Sequence, residues 1–189
     1  MLKVKQFLDY AATHPDAIIT YHVSDMVLVG HSDASYLSGT KSRSREGGRG
    51  FFMSNNMEFP PNNEAVLTIT KIIKAVMSSS EEAELRALLI NCKESITALQ
   101  ALEEMGHTQQ PTPMHTENTK AHGLVNNNLA IKRLNSIYTR LHWIWWRATQ
   151  GQFQHYQRSD ATNLGDYATK QHAKIHHCSV RPTYLTPKI

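Results

Sequence analysis

The apolar positions in the first third of the chain predict an amphipathic helix followed by several short strands. Val4, Phe7, Leu8 and Ala11 recur at helical spacing, and Pro15 ends the segment. Short apolar and β-branched runs then predict strands at residues 17–23, 26–33, 50–54 and 65–70. The polar stretches between them predict loops at residues 38–50 and 55–63.

The pattern then changes to helices that alternate with single strands. Ser79 and Glu82 form a capping box, and an apolar stripe from Leu85 to Leu99 follows at helical spacing. The remaining elements are predicted as a strand at 113–117, helices at 118–125 and 137–148, a strand at 152–156 and a short helix capped by Asn163 that ends near Lys170. Residues 171–189 show no period and are predicted to be irregular. This order predicts an α/β fold with a mixed sheet.

Composition and charge narrow the class of protein. The chain has 189 residues and a formal net charge of +4. Nine Lys or Arg but only two Asp lie between Ile131 and Ile189, so the last third is basic. Such a region favours a polyanionic partner, and simple solubility is the alternative. Two cysteines are too few for a disulfide framework, no apolar run is long enough to span a bilayer, and the charged N-terminal segment is not expected to be a signal peptide.

Four acidic residues lie where predicted strands end or predicted helices begin: Asp33, Glu84, Glu117 and Asp166. In an open α/β sheet such positions can converge on one edge. A carboxylate cluster needs a compensating charge, and oxygen ligands suit Mg²⁺ or Mn²⁺, two of which can promote phosphodiester hydrolysis. Each residue also has a structural explanation, as a turn residue, a solvated strand end or a favourable charge at a helix N-terminus.

Glu82 and Glu84 lie in the same predicted helix but on different sides of it. Residues that are two positions apart in a helix are separated by a rotation of roughly 160° about the helix axis, measured the shorter way. They therefore cannot reach one metal site together. Glu84 borders the apolar stripe one turn before Leu88, which favours it as the candidate.

Several motifs match a known family in the same order along the chain. They are HSDASY (31–36), MSSSEEAEL (77–85), TEN (116–118) with AHG (121–123), GQF (151–153) and NLGDYATK (163–170). The chain, from about residue 3 to 185, resembles the ribonuclease H domain at the C-terminal end of copia-type LTR-retrotransposon reverse transcriptases. The resemblance implies a ribonuclease H-like mixed five-stranded sheet flanked by helices. It also implies hydrolysis of the RNA strand of RNA–DNA hybrids, with two Mg²⁺ or Mn²⁺ ions held by Asp33, Glu84, Glu117 and Asp166.

The sequence departs from the family pattern at several positions. Glu117 stands where the family usually has Asp, and one extra methylene matters in a site built to sub-ångström tolerance. Gly165 replaces a usual Ala, Tyr138 replaces a common acidic residue, and Thr162 stands where some relatives carry His. These changes suggest a drifting copy of an element and favour, as the alternative, a catalytically inactive nucleic-acid-binding module.

Substrate contacts are expected from two basic regions. The candidates are Ser35, Arg43 and Arg45 with Lys41 and Arg49 near the first strands, Asn118, and a helix face made of Arg140, Trp143 and Arg147. An RNA–DNA hybrid is read through 2′-hydroxyls and phosphates, which such side chains can contact. Trp143 can stack on a sugar or base or hold the arginines by cation–π contact, and packing against a neighbouring helix is its alternative role.

The resemblance also implies a context. Residues 1–24 are expected to be the end of a polymerase region of the same polyprotein, 25–172 the ribonuclease H-like domain and 173–189 an irregular tail. The expected partners are the hybrid and that polymerase region, without a membrane, in a cytoplasmic virus-like particle or the nucleus. An integrase- or resolvase-like nuclease is a third reading. His172, His176, His177 and Cys178 lack a paired Cys-x-x-Cys, which argues against a zinc cluster.

Overall fold

The computed structural model describes residues 2–21, 23–53, 63–117, 123, 135–159, 163–170, 172–183 and 185. Within them the helices are α1 (Leu2–Thr13), α2 (Ser80–Glu104), α3 (Asn135–Thr149), α4 (Asp166–Thr169) and α5 (Lys174–Val180). The strands are β1 (Val27–Ser35), β2 (Arg45–Met53), β3 (Ala65–Ile72), β4 (Thr112–Thr116) and β5 (Phe153–Gln157). Short 3₁₀ turns lie at Thr40–Ser42 and Arg181–Thr183. Among these helices, none is both long and apolar enough to cross a bilayer.

The five strands form one mixed sheet in the order β3-β2-β1-β4-β5. β1, β2 and β3 pair antiparallel, whereas β4 lies parallel to β1 and β5 parallel to β4. Because β1 and β4 are parallel neighbours, with Ser32 opposite Thr116, the residues that follow these two positions lie at the same edge of the sheet. The predicted mixed five-stranded sheet flanked by helices is confirmed.

The main core lies between the sheet and helices α2 and α3. The apolar stripe of α2 packs there with Leu28, Met114 and Phe153 from the strands and with Leu141 and Ile144 from α3. All five of these residues are buried. Burial of one such side chain contributes about 1.5–3 kcal/mol, so this layer fixes how α2 crosses the sheet.

The start of α2 follows the predicted capping box only in part. The Ser79 hydroxyl accepts a hydrogen bond from the Glu82 backbone N–H at 3.1 Å, as an N-cap does. The Glu82 carboxylate, however, accepts from the backbone N–H and the hydroxyl of Ser78, both at 2.8 Å. Glu82 is thereby fixed at the beginning of the helix and directed away from Glu84.

Two predictions about strands were wrong. Residues 17–23 form no strand in the part of that segment that is described, apart from a bridge at Ile18, and the side chains of Tyr21 and Val23 are exposed. Residues 45–49 belong to β2 rather than to a loop. A Cβ atom on Gly48 would lie 1.7 Å from the Asn91 amide oxygen of α2. A Cβ atom on Gly47 would lie 2.5 Å from Thr169 Cγ2, so these two glycines let α2 and α4 approach the strand closely.

The C-terminal part also differs from expectation. Lys174–Val180 is helical, although residues 171–189 showed no period. Asn163 does not cap α4, whose N-cap is Gly165. The predicted helix at 118–125 and the turn that follows it lie outside the described residues, Gly123 excepted.

Candidate active site

Three of the four predicted carboxylates meet at the edge where β1 and β4 end. Ligand oxygens of Asp33, Glu117 and Asp166 all lie within 4.8 Å of one another. Asp33 is completely buried in β1, Glu117 directly follows β4, and Asp166 begins α4. Three distant parts of the chain thus place negative charge in one pocket, called here the acidic pocket.

Polar contacts between β1 and the turn before α4 position Asp166. The Asn163 side-chain amide donates to the Ser32 carbonyl oxygen at 2.9 Å. The Leu164 backbone N–H donates to Nδ1 of the buried His31 at 2.9 Å. These two bonds fix the turn against the strand that carries Asp33.

Gly165 allows this turn to approach β1. A Cβ atom at this position would lie 3.0 Å from the Ser32 carbonyl carbon, 3.1 Å from the Asp33 nitrogen and 3.2 Å from Asp33 Cβ. Such contacts are too tight for a side chain without a shift of the backbone. Gly165, at a position where the family usually has Ala, therefore lies where the turn packs closely on β1.

Glu84 reaches the pocket from α2. Its Oε1 accepts a hydrogen bond from the Ala34 backbone N–H at 3.1 Å, which places the carboxylate beside Asp33. Burial, together with the charges of Asp33 and Glu117, raises the pKa of Glu84 to about 9. Without a compensating cation, Glu84 is therefore protonated at neutral pH.

Lys170 supplies positive charge to the acidic pocket. Its Nζ forms ion pairs with Asp166 Oδ1, with Glu117 Oε1 at 3.3 Å and, more distantly, with Asp33 Oδ1 at 3.9 Å. Burial opposes the charge of this lysine, but the three carboxylates outweigh it and raise the pKa of Lys170 well above its usual value. One ammonium group thus partly neutralises three acids.

The donor set fits a hard divalent cation. Asp33 Oδ2 accepts from the Thr169 hydroxyl, while Asp33 Oδ1 and Glu84 Oε2 are buried and have no hydrogen-bond partner among the described residues. Buried carboxylate oxygens without donors are costly unless a cation is bound to them. Oxygen ligands of this kind suit Mg²⁺ or Mn²⁺.

The candidate contacts near the first strands have different environments. Arg43 is exposed after the 3₁₀ turn, and Arg45 begins β2 and is partly buried. Ser35 is buried, and its hydroxyl contacts the Ser38 hydroxyl and donates to the Thr169 carbonyl oxygen at 3.1 Å. Arg49, expected in a loop, lies within β2 and pairs with Glu64. Asn118 lies outside the described residues. A nucleic-acid role for these residues stays a prediction.

The candidate face of α3 is engaged within the protein. Arg140 pairs with Glu82 at 3.2 Å. Trp143 packs against the main core, and the Arg147 guanidinium lies 5.2 Å from its ring centroid. Trp143 therefore packs within the protein, as the alternative role predicts. Its cation–π contact is formed with Arg147 rather than with Arg140. Nucleic-acid binding by this face stays a prediction.

Sequence reasoning missed several residues that build the site. Thr169 and Lys170 belong to the motif at 163–170, but their contacts with Asp33 depend on the packing of α4 against β1. Asn91 donates to the Gly47 carbonyl oxygen at 3.0 Å and to Ser32 Oγ at 3.3 Å, joining α2 to both strands. Asn91 lies outside the apolar stripe of α2, so the hydrophobic pattern gave no signal for its role.

Comparison with known proteins identifies the fold. Neither a protein-family model nor a curated protein sequence matches the chain. Among solved structures, the N-terminal RNase H domain of a Mycobacterium tuberculosis protein matches with a TM-score of 0.54 and 12% identity, over 82% of this chain and 99% of that chain. LC11-RNase H1, isolated from compost by a metagenomic approach, matches with a TM-score of 0.56 and 10% identity, over 76% and 92%. The protein has a ribonuclease H fold.

A further match has a nucleic acid bound to it. LC11-RNase H1 in complex with an RNA/DNA hybrid gives a TM-score of 0.52 and 12% identity, over 75% of this chain and 93% of that chain. At such low identity the likeness to ribonuclease H structures establishes the fold.

Proposed function

We propose that the chain is an endoribonuclease that hydrolyses the RNA strand of RNA–DNA hybrids. The observation that carries this proposal is the acidic pocket, in which Asp33, Glu117 and Asp166 converge and Glu84 joins them from α2. The ribonuclease H fold of the chain and the hybrid bound by LC11-RNase H1 support the choice of substrate.

The four carboxylates would hold two Mg²⁺ or Mn²⁺ ions. Such ions, when bound, supply Lewis-acid activation of a water and charge stabilisation at a phosphodiester. The protein contributes a rigid set of ligands, since Asp33 is fixed by Thr169, and Glu84 by the Ala34 N–H. Lys170 has to withdraw from the carboxylates when cations bind, and its half-exposed side chain can do so.

The basic last third of the chain and the arginines near β2 would bind the phosphates of the hybrid. Arg43 is exposed, and Arg45 lies at the start of β2, opposite Ser35 at the end of β1. Both arginines therefore lie near the strand end that follows Asp33. Phosphate contacts of this kind position a nucleic acid without reading its sequence.

The proposed biological context rests on the motifs alone. Their order resembles that of copia-type LTR-retrotransposon reverse transcriptases, which places the chain in a polyprotein beside a polymerase region. In that context the reaction would take place in a cytoplasmic virus-like particle or in the nucleus.

The proposal is tested by cleavage of a labelled RNA–DNA hybrid with Mg²⁺ and with Mn²⁺. Asp33→Asn should reduce cleavage on the order of 10²-fold or more, because it removes one charge that holds the cations. Asp9→Asn, an equivalent change on the exposed α1, should leave cleavage unchanged. Equal cleavage by the wild type and Asp33→Asn would contradict the proposal.

The second candidate is a hybrid-binding module without catalysis. Its support is the combination of Glu117, the longer acid, with Lys170, whose ammonium lies among the carboxylates. Tight hybrid binding without cleavage under either metal favours this candidate. Cutting of duplex DNA rather than hybrid contradicts both.

A further inference from the structure

A second cluster of possible metal ligands adjoins the acidic pocket. Ligand atoms of Asp166, His172 and His176 all lie within 4.8 Å of one another. Asp166 is buried, while both histidines are partly buried and therefore reachable from solvent. His172 precedes α5, and His176 lies in the first turn of that helix.

The geometry of the three side chains is close to that of a metal site. His172 Nε2 lies 3.7 Å from Asp166 Oδ2, and ligands of one tetrahedral ion with bonds of about 2.0–2.1 Å lie roughly 3.4 Å apart. The ring centroids of His172 and His176 are 4.4 Å apart. Small side-chain rotations are enough to bring the three donors around one ion, and they replace the 3.3 Å contact between His172 Nε2 and the Asp166 carbonyl oxygen.

Neighbouring aromatic rings support the two histidines. Tyr167 stacks on His172 with a ring separation of 5.3 Å and an angle of 4° between the planes. Tyr167 also stacks on His177, whose Nδ1 contacts the Tyr167 hydroxyl. His177 is thereby engaged elsewhere, and the exposed Cys178 does not belong to the group of ligands.

We propose that Asp166, His172 and His176 form a binding site for a borderline transition-metal ion such as Zn²⁺ or Co²⁺. Two imidazoles and one carboxylate are the ligand types that such ions take, and solvent can complete the coordination. The site is distinct in its donors from the acidic pocket, whose oxygen-only set suits Mg²⁺.

Asp166 is common to both sets of ligands. Its Oδ1 pairs with Lys170 in the acidic pocket, whereas its Oδ2 faces His172. An ion held by the histidines competes for this carboxylate, so it antagonises cations in the acidic pocket. This antagonism rests on the proposed function, whereas the histidine site does not.

The test is a titration of the full chain, without a histidine tag, with Co²⁺ in millimolar Mg²⁺. The wild type should show visible ligand-field absorption, and Zn²⁺ should displace the Co²⁺. His172→Ala and His176→Ala should each weaken binding at least about tenfold, the lower bound of what loss of even an outer-shell partner causes. His107→Ala and Cys178→Ala, both exposed positions, should bind as the wild type does.

Several results overturn the inference: a wild type that gives no such spectrum, histidine variants that bind normally, or loss of binding in Cys178→Ala. Asp33→Asn should retain the Co²⁺ spectrum, and its loss there would place the ion in the acidic pocket instead. Circular dichroism verifies that each variant is folded.

Hybrid cleavage separates this inference from the proposed function. If the chain binds Co²⁺ through the histidines but cleaves no hybrid, the histidine site is supported and the proposed function is contradicted. If cleavage is present, Zn²⁺ should inhibit the wild type more than His172→Ala. Equal inhibition of the two would overturn the antagonism.

Discussion

Two glutamates of α2, only two residues apart, have opposite environments. Glu82 accepts two hydrogen bonds from Ser78 and pairs with Arg140. Burial opposes its charge, but these donors outweigh burial and lower the pKa of Glu82. Glu84 faces Asp33 and Glu117, and its pKa is raised to about 9. The neighbours of a buried carboxylate therefore decide whether it stabilises the fold or is available to a cation.

The largest difference between the two is expected in metal-dependent cleavage. Glu84→Gln should reduce hybrid cleavage on the order of 10²-fold or more and should weaken Mg²⁺ binding, because glutamine cannot lose a proton to become the carboxylate that a bound cation needs. Glu82→Gln should act on stability instead, and the loss of charge-assisted hydrogen bonds should cost about 1.5–3 kcal/mol. Isothermal titration with Mg²⁺ and chemical denaturation measure the two effects, and equal Mg²⁺ affinity of the two variants would remove the distinction.

The pH dependence of the free energy of unfolding should also distinguish Glu84 from Glu82. The folded protein keeps the proton on Glu84 between about pH 5 and 9, whereas the unfolded chain releases it near its ordinary pKa. In metal-free buffer, this proton makes stability fall with rising pH, by up to about 1.4 kcal/mol per pH unit. The buried His31 and His115 have lowered pKa values and act in the opposite sense below the ordinary histidine pKa, so the fall should be measured from about pH 7 to 9. Glu84→Gln should flatten this slope.

Glu82 should have the opposite signature. Because its folded pKa is lowered, its contribution is present above the unfolded pKa and is lost as the pH falls below about 4.5. Urea denaturation across the pH range distinguishes the two residues. A wild-type stability that does not change between about pH 7 and 9 would contradict the environment described for Glu84.

Replacement of Lys170 should have a smaller effect on the metal-free protein. Lys170→Met removes the ammonium group that the three carboxylates share, and we expect a loss of about 2 kcal/mol in the free energy of unfolding. Added Mg²⁺ should restore more stability in this variant than in the wild type. Lys174→Met, an exposed change in α5, is the matched control and should change neither quantity. Equal stabilisation of the variant and the wild type by Mg²⁺ would mean that the lysine does not compete with cations.

The smallest effect is expected at Gly165. Gly165→Ala introduces a Cβ atom 3.0–3.2 Å from the backbone and Cβ of Ser32 and Asp33, so the turn has to move outward with Asp166. We expect about 1 kcal/mol of destabilisation, at the lower end of the cost of overpacking, and a several-fold weaker Mg²⁺ affinity. Gly106 has a positive φ and open space around it. Gly106→Ala is therefore a control that should lower stability without changing the Mg²⁺ affinity. An unchanged Mg²⁺ affinity in Gly165→Ala would show that the turn adapts without moving the carboxylate.

The sequence allowed the order of elements to be predicted because that order depends on local patterns. The convergence of the acids was predicted because strand ends can share one edge of an α/β sheet and because the motifs resemble a known family. The period from Leu85 to Leu99 identified α2, and strand ends identified Asp33 and Glu117. The strand at 45–49 was missed because Gly48 is explained only by its contact with Asn91, and Gly47 only by its contact with Thr169. The role of Lys170 was missed for a related reason, since its partners come from β1 and β4, distant in sequence.

The position of α4 in the chain has a consequence for synthesis on the ribosome. The hydrogen bond from Thr169 to Asp33 joins residues 136 positions apart, and Lys170 follows immediately. All five strands leave the ribosome before this segment does. A nascent chain therefore carries Asp33, Glu84 and Glu117 before Asp166, Thr169 and Lys170 are made, so the acidic pocket is completed only after the segment around α4 has been synthesised.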